Sequence, residues 1–262
     1  MRINTILTNF AQRNLVLSYN DTERIKITAS ISHLENILKS RLENQVVEII
    51  RFGSYTRNTI LPRKYDPNSD IDLMIVFDNE NLLAPETYRK KLLNVVSSAY
   101  PNSISQKDFP AIKLILNHIK FDLVPAYCQN YVFLGKTYYI PSKYSGWMKT
   151  TPNDINYRLQ TTNQRIGNNV IRNTIRLCKH WNASVNYPFE SYLMEQNILN
   201  LSFWNANDVY NRFICSLNEI AGNRPDVKQA ISYIAEYCRR GDEDKQLFWL
   251  KKLLPGLNTI CD

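Results

Sequence analysis

The stretch RFGSYTRNTILPRKYDPNSDIDLMIVF, residues 51–77, contains the pattern that decides the fold of this protein. It ends one β-branched segment, continues through Gly53 and Ser54 into a polar loop with two prolines, and enters a strongly apolar run. That apolar run has the composition of a core strand, yet it begins with Asp70 and Asp72. Two carboxylates at the head of a core strand need a physical explanation.

Periodicity around this stretch predicts the other elements. β-branched and apolar runs predict strands, namely residues 45–52, 70–77, 111–117 and 119–127, with a small hairpin over 131–141. Helical spacing of apolar residues is found over most of residues 1–43, over 85–100, and in successive segments after 152. The predicted fold class is therefore α+β, with a mixed β-sheet and flanking helices in residues 1–150 and a helical domain in residues 151–262.

Asp70 and Asp72 are two residues apart, and strand side chains alternate between faces, so both carboxylates point to one side of the sheet. Like charges this close raise each other's pKa unless they are compensated. Two explanations are open at this point. Either the strand begins at a solvated end, or a divalent cation lies between the two carboxylates.

Asp122 favours the metal site. In the segment HIKFDLVPAY it is the only charge after Lys120, and a lone carboxylate in an apolar strand is almost never buried unpaired. If its strand lies beside residues 70–77, three carboxylates can meet. Oxygen ligands of this kind suit Mg²⁺ or Mn²⁺, and two such ions about 3.5–4 Å apart would support an in-line displacement at phosphorus.

Gly53 and Ser54 fit the same chemistry. Glycine lets the backbone approach a phosphate closely, while the serine hydroxyl and the N–H groups of the turn can bind its oxygens. An isolated Gly-Ser pair is weak evidence, but this pair lies between a strand and a short helix, ahead of the two aspartates. Asp66 is assigned to the intervening loop and not to the chemistry.

The composition and net charge argue against several kinds of site and of protein. Five widely spaced cysteines without a CxxC pair, and three histidines that form no motif, argue against a disulfide framework or a zinc site. A net charge of +8 predicts attraction to polyanions, but it does not separate nucleic acid, nucleotides and a merely basic soluble surface. No apolar run is long enough for a bilayer and the N-terminus does not read as a signal peptide, so we expect a cytoplasmic protein without membrane contact.

Gly53-Ser54, Asp70-x-Asp72 and a distant Asp122 in a strand together resemble the DNA polymerase β-type nucleotidyltransferase superfamily. The segments FDLVPAY, YYIPSKYSGWMKTTPN, RLCKHWN and SYLMEQ are similar to its oligoadenylate synthetase and cyclic GMP-AMP synthase branch, and most of all to the bacterial CD-NTases of antiphage signalling. The resemblance covers about residues 20–200. It implies a nucleotidyltransferase core followed by a helical domain that clamps the nucleotide.

The resemblance also implies roles for single residues. Asp70 and Asp72 would bind both metal ions, and Asp122 would bind the catalytic one and help to deprotonate the attacking hydroxyl. Lys179 and Ser191 match positions that hold the donor triphosphate, and Tyr192 matches an aromatic residue that stacks on a base. The match implies two Mg²⁺ or Mn²⁺ ions as cofactors and ATP, GTP or other nucleoside triphosphates as partners. Nucleic acid is a possible partner but is not required, and we expect a monomer.

The residues leave alternatives for these nucleotide contacts. Arg172, Arg176 and Lys179 share one face of a predicted helix, which is either a phosphate-binding stripe or a solvated surface. Tyr192 is either a stacking residue or a core aromatic. The chain has no Cys/His-rich insertion of the kind that the animal enzyme uses to sense DNA, and it is short for the bacterial family.

Three functions remain in view. The first is template-independent synthesis of a cyclic di- or oligonucleotide second messenger from nucleoside triphosphates, with release of pyrophosphate, in antiphage signalling. The second is addition of nucleotides to the 3′ end of tRNA or another RNA by the same metal chemistry. The third is an inactive nucleotide- or RNA-binding module, against which the retention of all three acids argues.

Overall fold

The computed structural model describes residues 2–78, 80–131, 135–144, 146–202 and 206–257. Within these ranges the strands are β1 (Val46–Phe52), β2 (Asp70–Phe77), β3 (Ile104–Asp108), β4 (Ala111–Ile115), β5 (Lys120–Tyr131), β6 (Gly135–Ser142) and β7 (Gly146–Thr150). The α-helices of the same ranges are α1 (Arg2–Asn9), α2 (Thr22–Leu42), α3 (Gly53–Thr56), α4 (Pro85–Ala99), α5 (Asp154–Ile166), α6 (Val170–Ser184), α7 (Ser191–Asn200), α8 (Val209–Ala221), α9 (Pro225–Arg239) and α10 (Glu243–Leu253). A π-helical turn (Phe10–Asn14) follows α1.

The strands form one mixed sheet in the order β1-β2-β5-β4-β3, with β6 paired to β5 and β7 paired to β6. β2 and β5 are parallel, and the other pairs are antiparallel. β5 is long enough to pair with β4 along its first part and with β6 along its last part. The predicted α+β fold class, a mixed sheet with flanking helices, is confirmed.

Two compact units make up the chain. We call them the sheet unit, Ser18–Arg57 with Asn68–Asp154, and the helical unit, Met1–Leu17 with Asn58–Pro67 and Ile155–Asp262. This division differs from the predicted boundary between residues 150 and 151, because α1 and the loop after α3 belong to the helical unit. The reason is their apolar side chains: Ile6, Leu7 and Leu61 are buried in the same core as Ile171 and Trp181.

In the sheet unit, one face of the central strands is wholly apolar. Ile71, Leu73 and Ile75 of β2 are fully buried, as are Phe121 and Leu123 of β5. α4 contacts β3, β4 and β5, and α2 contacts β1 and α4. Burial of these side chains fixes the register between the central strands. The same register determines which residues are neighbours on the opposite face of the sheet.

Two strands are absent from the predictions. β3 has the sequence ISQKD, lies at the edge of the sheet and is mostly exposed, so it carries no apolar alternation. β7 is a similarly exposed strand that pairs with β6. Of the predicted hairpin over 131–141, residues 132–134 lie outside the described ranges, and the flanking parts of β5 and β6 are paired antiparallel.

Helical structure was predicted over most of residues 1–43, and the chain between Leu15 and Asp21 is the part that is not helical. α2 begins at Thr22, and the carboxylate of the preceding N-cap residue, Asp21, accepts a hydrogen bond from the backbone N–H of Glu23 at 2.9 Å. Within the described ranges, no helix has the length and apolar character that a bilayer crossing requires.

Candidate active site

Three aspartates of the sheet unit share one face of the sheet. The register of the parallel strands β2 and β5 pairs Asp72 with Asp122 and Asp70 with Lys120. Paired residues of neighbouring strands point to the same side, and Asp70 is two residues from Asp72. The sequence prediction assumed that these two strands are neighbours, and in the structure they are.

The same face becomes apolar further along the strands. Met74, Val76 and Ala126 form a small buried cluster there, with Phe52 and Tyr138 packed against it. On β2 and β5 the aspartates therefore occupy the first residues of this face, ahead of the hydrophobic cluster.

Asp122 lies in a largely buried position. Its Oδ1 atom is buried and has no hydrogen-bond partner within the described ranges. Burial, and next the negative charge of Asp70, raise the pKa of Asp122 to about 6, while the ammonium of Lys113 acts in the opposite direction. A carboxylate with this pKa exchanges its proton close to neutral pH, which is the range that a general base needs.

Gly53 lies directly against Asp72. β1 ends at Phe52, which pairs with Asp72, and Gly53 follows with a φ of +74°. A Cβ atom added to Gly53 would lie 1.7 Å from Oδ2 of Asp72, so a larger residue cannot occupy this turn without displacing the carboxylate. Ser54 is buried in the next position of the short helix α3.

The three aspartates offer oxygen donors, which are the ligands that Mg²⁺ and Mn²⁺ prefer. A cation would also satisfy the buried Oδ1 of Asp122, which has no hydrogen-bond partner within the described ranges. Across the described residues, no three Asp, Glu, His or Cys side chains are already gathered at ligating distance. The donor set therefore fits a divalent cation in its chemistry, and binding would require the carboxylates to turn toward it.

Lys113 is a charged neighbour that the sequence predictions missed. It is paired in register with Asp122 across β4 and β5, and its Nζ lies 3.9 Å from Oδ1 of Asp122. The same ammonium lies 2.6 Å from Oδ2 of Asp108. The sequence contained a signal that could have identified Lys113. It is a lone charge in the apolar run AIKLILN, just as Asp122 is in its own strand.

The remaining predicted site residues belong to the helical unit. Lys179 of α6 is only 6% exposed, and its Nζ lies 3.5 Å from Oε1 of the buried Glu195. Ser191 is the first residue of α7 and is half-buried. Tyr192 is 50% exposed, and its hydroxyl accepts a hydrogen bond from Gln196 at 3.0 Å. Tyr192 is therefore not a core aromatic, which was the alternative interpretation of this residue.

At Arg176 and Lys179 the basic face of α6 is not a solvated surface, which was one of its two interpretations. Arg176 and Lys179 are buried, because the helical unit packs around α6 and covers both of its faces. Arg176 donates two hydrogen bonds to the carbonyl of Asn58, at 2.7 and 3.1 Å from Nη2 and Nε. Burial and the charge of Arg172 lower the pKa of Arg176 to about 10.

Comparison with known proteins identifies the family. Residues 1–163 match the model of the Second Messenger Oligonucleotide or Dinucleotide Synthetase domain, which is more than half of the chain. The chain belongs to this synthetase family. The resemblance to the CD-NTases is thereby confirmed, and the synthetase match includes every element that carries the three aspartates.

A relative of known name matches part of the chain. The chain is 34% identical over 197 residues to a probable cyclic nucleotide synthase of Bacillus cereus (strain VD146). This match covers 61% of the chain and 58% of the relative, so the chain spans less than two thirds of that protein's length.

Solved structures share the fold of this chain. CdnC of E. coli MS115-1, solved with ATP, superposes with a TM-score of 0.70 at 13% identity, covering 97% of this chain and 98% of that one. The DncV cyclic AMP-GMP synthase of Vibrio cholerae, solved with nonhydrolyzable GTP, gives a TM-score of 0.69 at 11% identity, covering 97% and 96%. At these identities the likeness establishes the common fold.

Proposed function

We propose that this chain is a template-independent nucleotidyltransferase that makes a cyclic di- or oligonucleotide second messenger from nucleoside triphosphates. The observation that carries the proposal is the shared face of Asp70, Asp72 and Asp122 beside the Gly53-Ser54 turn, in a chain of the synthetase family. In each step the hydroxyl oxygen of one nucleotide forms a bond to the α-phosphorus of another. The bond from that phosphorus to the bridging oxygen breaks, and pyrophosphate leaves with the electron pair.

The residues of the sheet unit have complementary roles in this proposal. Asp70, Asp72 and Asp122 would hold two Mg²⁺ or Mn²⁺ ions, which would activate the attacking hydroxyl and stabilise the leaving pyrophosphate. Asp122 would also accept the proton of the attacking hydroxyl. Ser54 and the backbone N–H groups of its turn would bind phosphate oxygens.

Residues of the helical unit would contribute nucleotide contacts. Lys179 would neutralise triphosphate charge, Ser191 would donate its hydroxyl to a phosphate oxygen, and Tyr192 would stack on a base. The half-exposed ring of Tyr192 supports its role, since a stacking residue must present an open face. Lys179 would have to exchange its contact with Glu195 for the phosphate.

Incubation of the purified chain with four labelled nucleoside triphosphates and Mg²⁺ or Mn²⁺, with and without RNA, tests the proposal. After phosphatase treatment, we expect small phosphatase-resistant products that form without RNA. Label found only on RNA would instead identify an RNA 3′-end nucleotidyltransferase. The absence of any product would indicate an inactive binding module.

Substitutions connect the product to the aspartates. Asp72→Asn and Asp122→Asn should each abolish product formation, because each removes a metal-binding charge. Asp226→Asn is the matched control, since Asp226 is an exposed acid of the helical unit that pairs with Arg224. Full activity of the combined Asp70→Asn and Asp72→Asn variant would refute the mechanism.

A further inference from the structure

A row of alternating charges crosses neighbouring strands of the sheet and ends at Asp122, one of the three aspartates of the site. Asp108 of β3, Lys113 of β4 and Asp122 of β5 lie on neighbouring strands, and Lys113 is paired in register with Asp122. Asp108 lies two residues along β3 from the partner of Lys113, so its side chain points to the same face. One ammonium therefore lies between two carboxylates.

Lys113 is not shared equally between these carboxylates. Its Nζ is 2.6 Å from Oδ2 of Asp108, which is a hydrogen-bonded ion pair. The distance to Oδ1 of Asp122 is 3.9 Å, which is too long for a hydrogen bond. Consistently, that Oδ1 atom has no hydrogen-bond partner in the described part of the chain.

We propose that Asp108 and Lys113 are positioning residues, in which Asp108 holds the ammonium away from Asp122 so that Oδ1 of Asp122 stays available to a divalent cation. This inference rests on the metal-binding role of Asp122 in the proposed function. It assigns to Asp108 a role at the site although Asp108 is not itself a ligand.

The physical basis is competition between two cations for one carboxylate. An ammonium bonded to Asp122 would occupy the oxygen that a metal ion needs and would repel that ion at short range. Asp108 is half-exposed, with a side chain 53% accessible, so its own carboxylate remains partly hydrated. Without the Asp108 charge, Asp122 becomes the nearest ion-pair partner of Lys113.

Mn²⁺ binding to the purified full chain tests this inference directly. The free ion is measured by electron paramagnetic resonance, without nucleotide, for the unmodified protein and for Asp108→Asn, Lys113→Met and the double variant. We expect Asp108→Asn to weaken Mn²⁺ binding on the order of tenfold, because the released ammonium moves to Asp122. Lys113→Met should bind at least as tightly as the unmodified protein, and the double variant should match Lys113→Met.

The matched control is Glu35→Gln. This substitution breaks the ion pair between Glu35 and Arg51, and Arg51 alternates with Phe52 and so faces away from the aspartates. Its Mn²⁺ affinity should be unchanged. Thermal unfolding of every variant shows whether a loss of binding reflects a loss of structure.

The outcomes separate this inference from the proposed function. Unchanged Mn²⁺ affinity in Asp108→Asn, with binding lost in Asp122→Asn, overturns only the positioning role. A double variant as weak as Asp108→Asn also overturns it, since Asp108 would then act directly on the ion. If the unmodified protein binds no Mn²⁺, or if Asp122→Asn binds normally, the metal site and this inference fail together.

Discussion

Gly53 and Asp72 are in such close contact that a Cβ atom on Gly53 would lie 1.7 Å from Oδ2 of Asp72. Asp72 lies on β2 and is paired with Phe52, the last residue of β1, and Gly53 follows as the first residue of α3. The glycine therefore determines where the Asp72 carboxylate can lie. In the proposed reaction, it sets the position of a metal ligand.

Gly53→Ala should abolish nucleotide transfer, because the new methyl group displaces the Asp72 carboxylate. Gly146→Ala is the matched control: Gly146 has a φ of +73°, close to the +74° of Gly53, but no atom lies within 4 Å of an added Cβ. Both variants should lose about 1–2 kcal/mol of stability from left-handed backbone strain. Product formation assays on folded protein should show a loss only in Gly53→Ala, and equal activities would contradict the role of the contact.

Asp122 should make the protein less stable as the pH rises. Its pKa is about 6 in the folded chain and 3.8 in its ordinary state, so between these values the native state binds more protons than the unfolded state. The free energy of unfolding therefore falls as the pH rises through this window, by up to roughly 3 kcal/mol.

Asp122→Asn removes this penalty. We expect urea unfolding in EDTA to show a gain of about 1–3 kcal/mol at pH 7.5 and almost no change at pH 4. Asp226→Asn should change stability in the opposite direction at pH 7.5, since a hydrogen bond from Arg224 lowers the pKa of Asp226 and its ionised form stabilises the fold. A lower free energy of unfolding for Asp122→Asn at pH 7.5 would show that the ionised Asp122 carboxylate does not destabilise the fold.

Lys179 and Glu195 form a buried ion pair whose breakage should be costly. Their side chains are 6% and 1% exposed, and Glu195 also accepts a hydrogen bond from Thr59 at 2.9 Å. Lys179→Met leaves the Glu195 charge buried without its ammonium partner, so the free energy of unfolding should fall by about 3–5 kcal/mol. The Lys179→Met/Glu195→Met double variant should regain most of this loss.

The same double variant distinguishes a structural from a functional lysine. If Lys179 also neutralises the triphosphate, as proposed, the restabilised double variant should still have a raised KM for nucleotide. Recovery of both stability and KM would assign Lys179 to the structure of the helical unit alone.

Tyr192 should contribute to nucleotide affinity through its ring. Tyr192→Ala should raise the KM for nucleotide by an amount equivalent to about 1–3 kcal/mol, the typical range for loss of one base-stacking contact. Tyr192→Phe should behave like the unmodified protein, because it keeps the ring. Tyr157→Ala is the matched control, since Tyr157 is 73% exposed on α5 of the same unit.

The free energy of unfolding should not change by more than about 0.5 kcal/mol in Tyr192→Ala or in Tyr157→Ala, because both side chains are exposed. Equal KM values for Tyr192→Ala and Tyr157→Ala would rule out the stacking role. Steady-state kinetics and thermal unfolding of the same preparations provide both measurements.

Local patterns in the sequence were sufficient for several features of this protein. The two-residue period of a strand puts Asp70 and Asp72 on one face, and β2 has the bounds that its apolar run predicts, residues 70–77. A lone charge in an apolar strand identified Asp122. These features depend only on residues that are close in the chain, so backbone geometry and side-chain polarity determine them.

Tertiary structure decided the rest, because long-range packing sets which elements are neighbours and which side chains are buried. The parallel pairing of β2 with β5 brings Asp72 beside Asp122, and the turn after β1 brings Gly53 against Asp72. Packing around α6 buries Lys179, which helical periodicity placed on a polar face. Burial of apolar side chains likewise draws α1 and the loop before β2 into the helical unit, where no local pattern placed them.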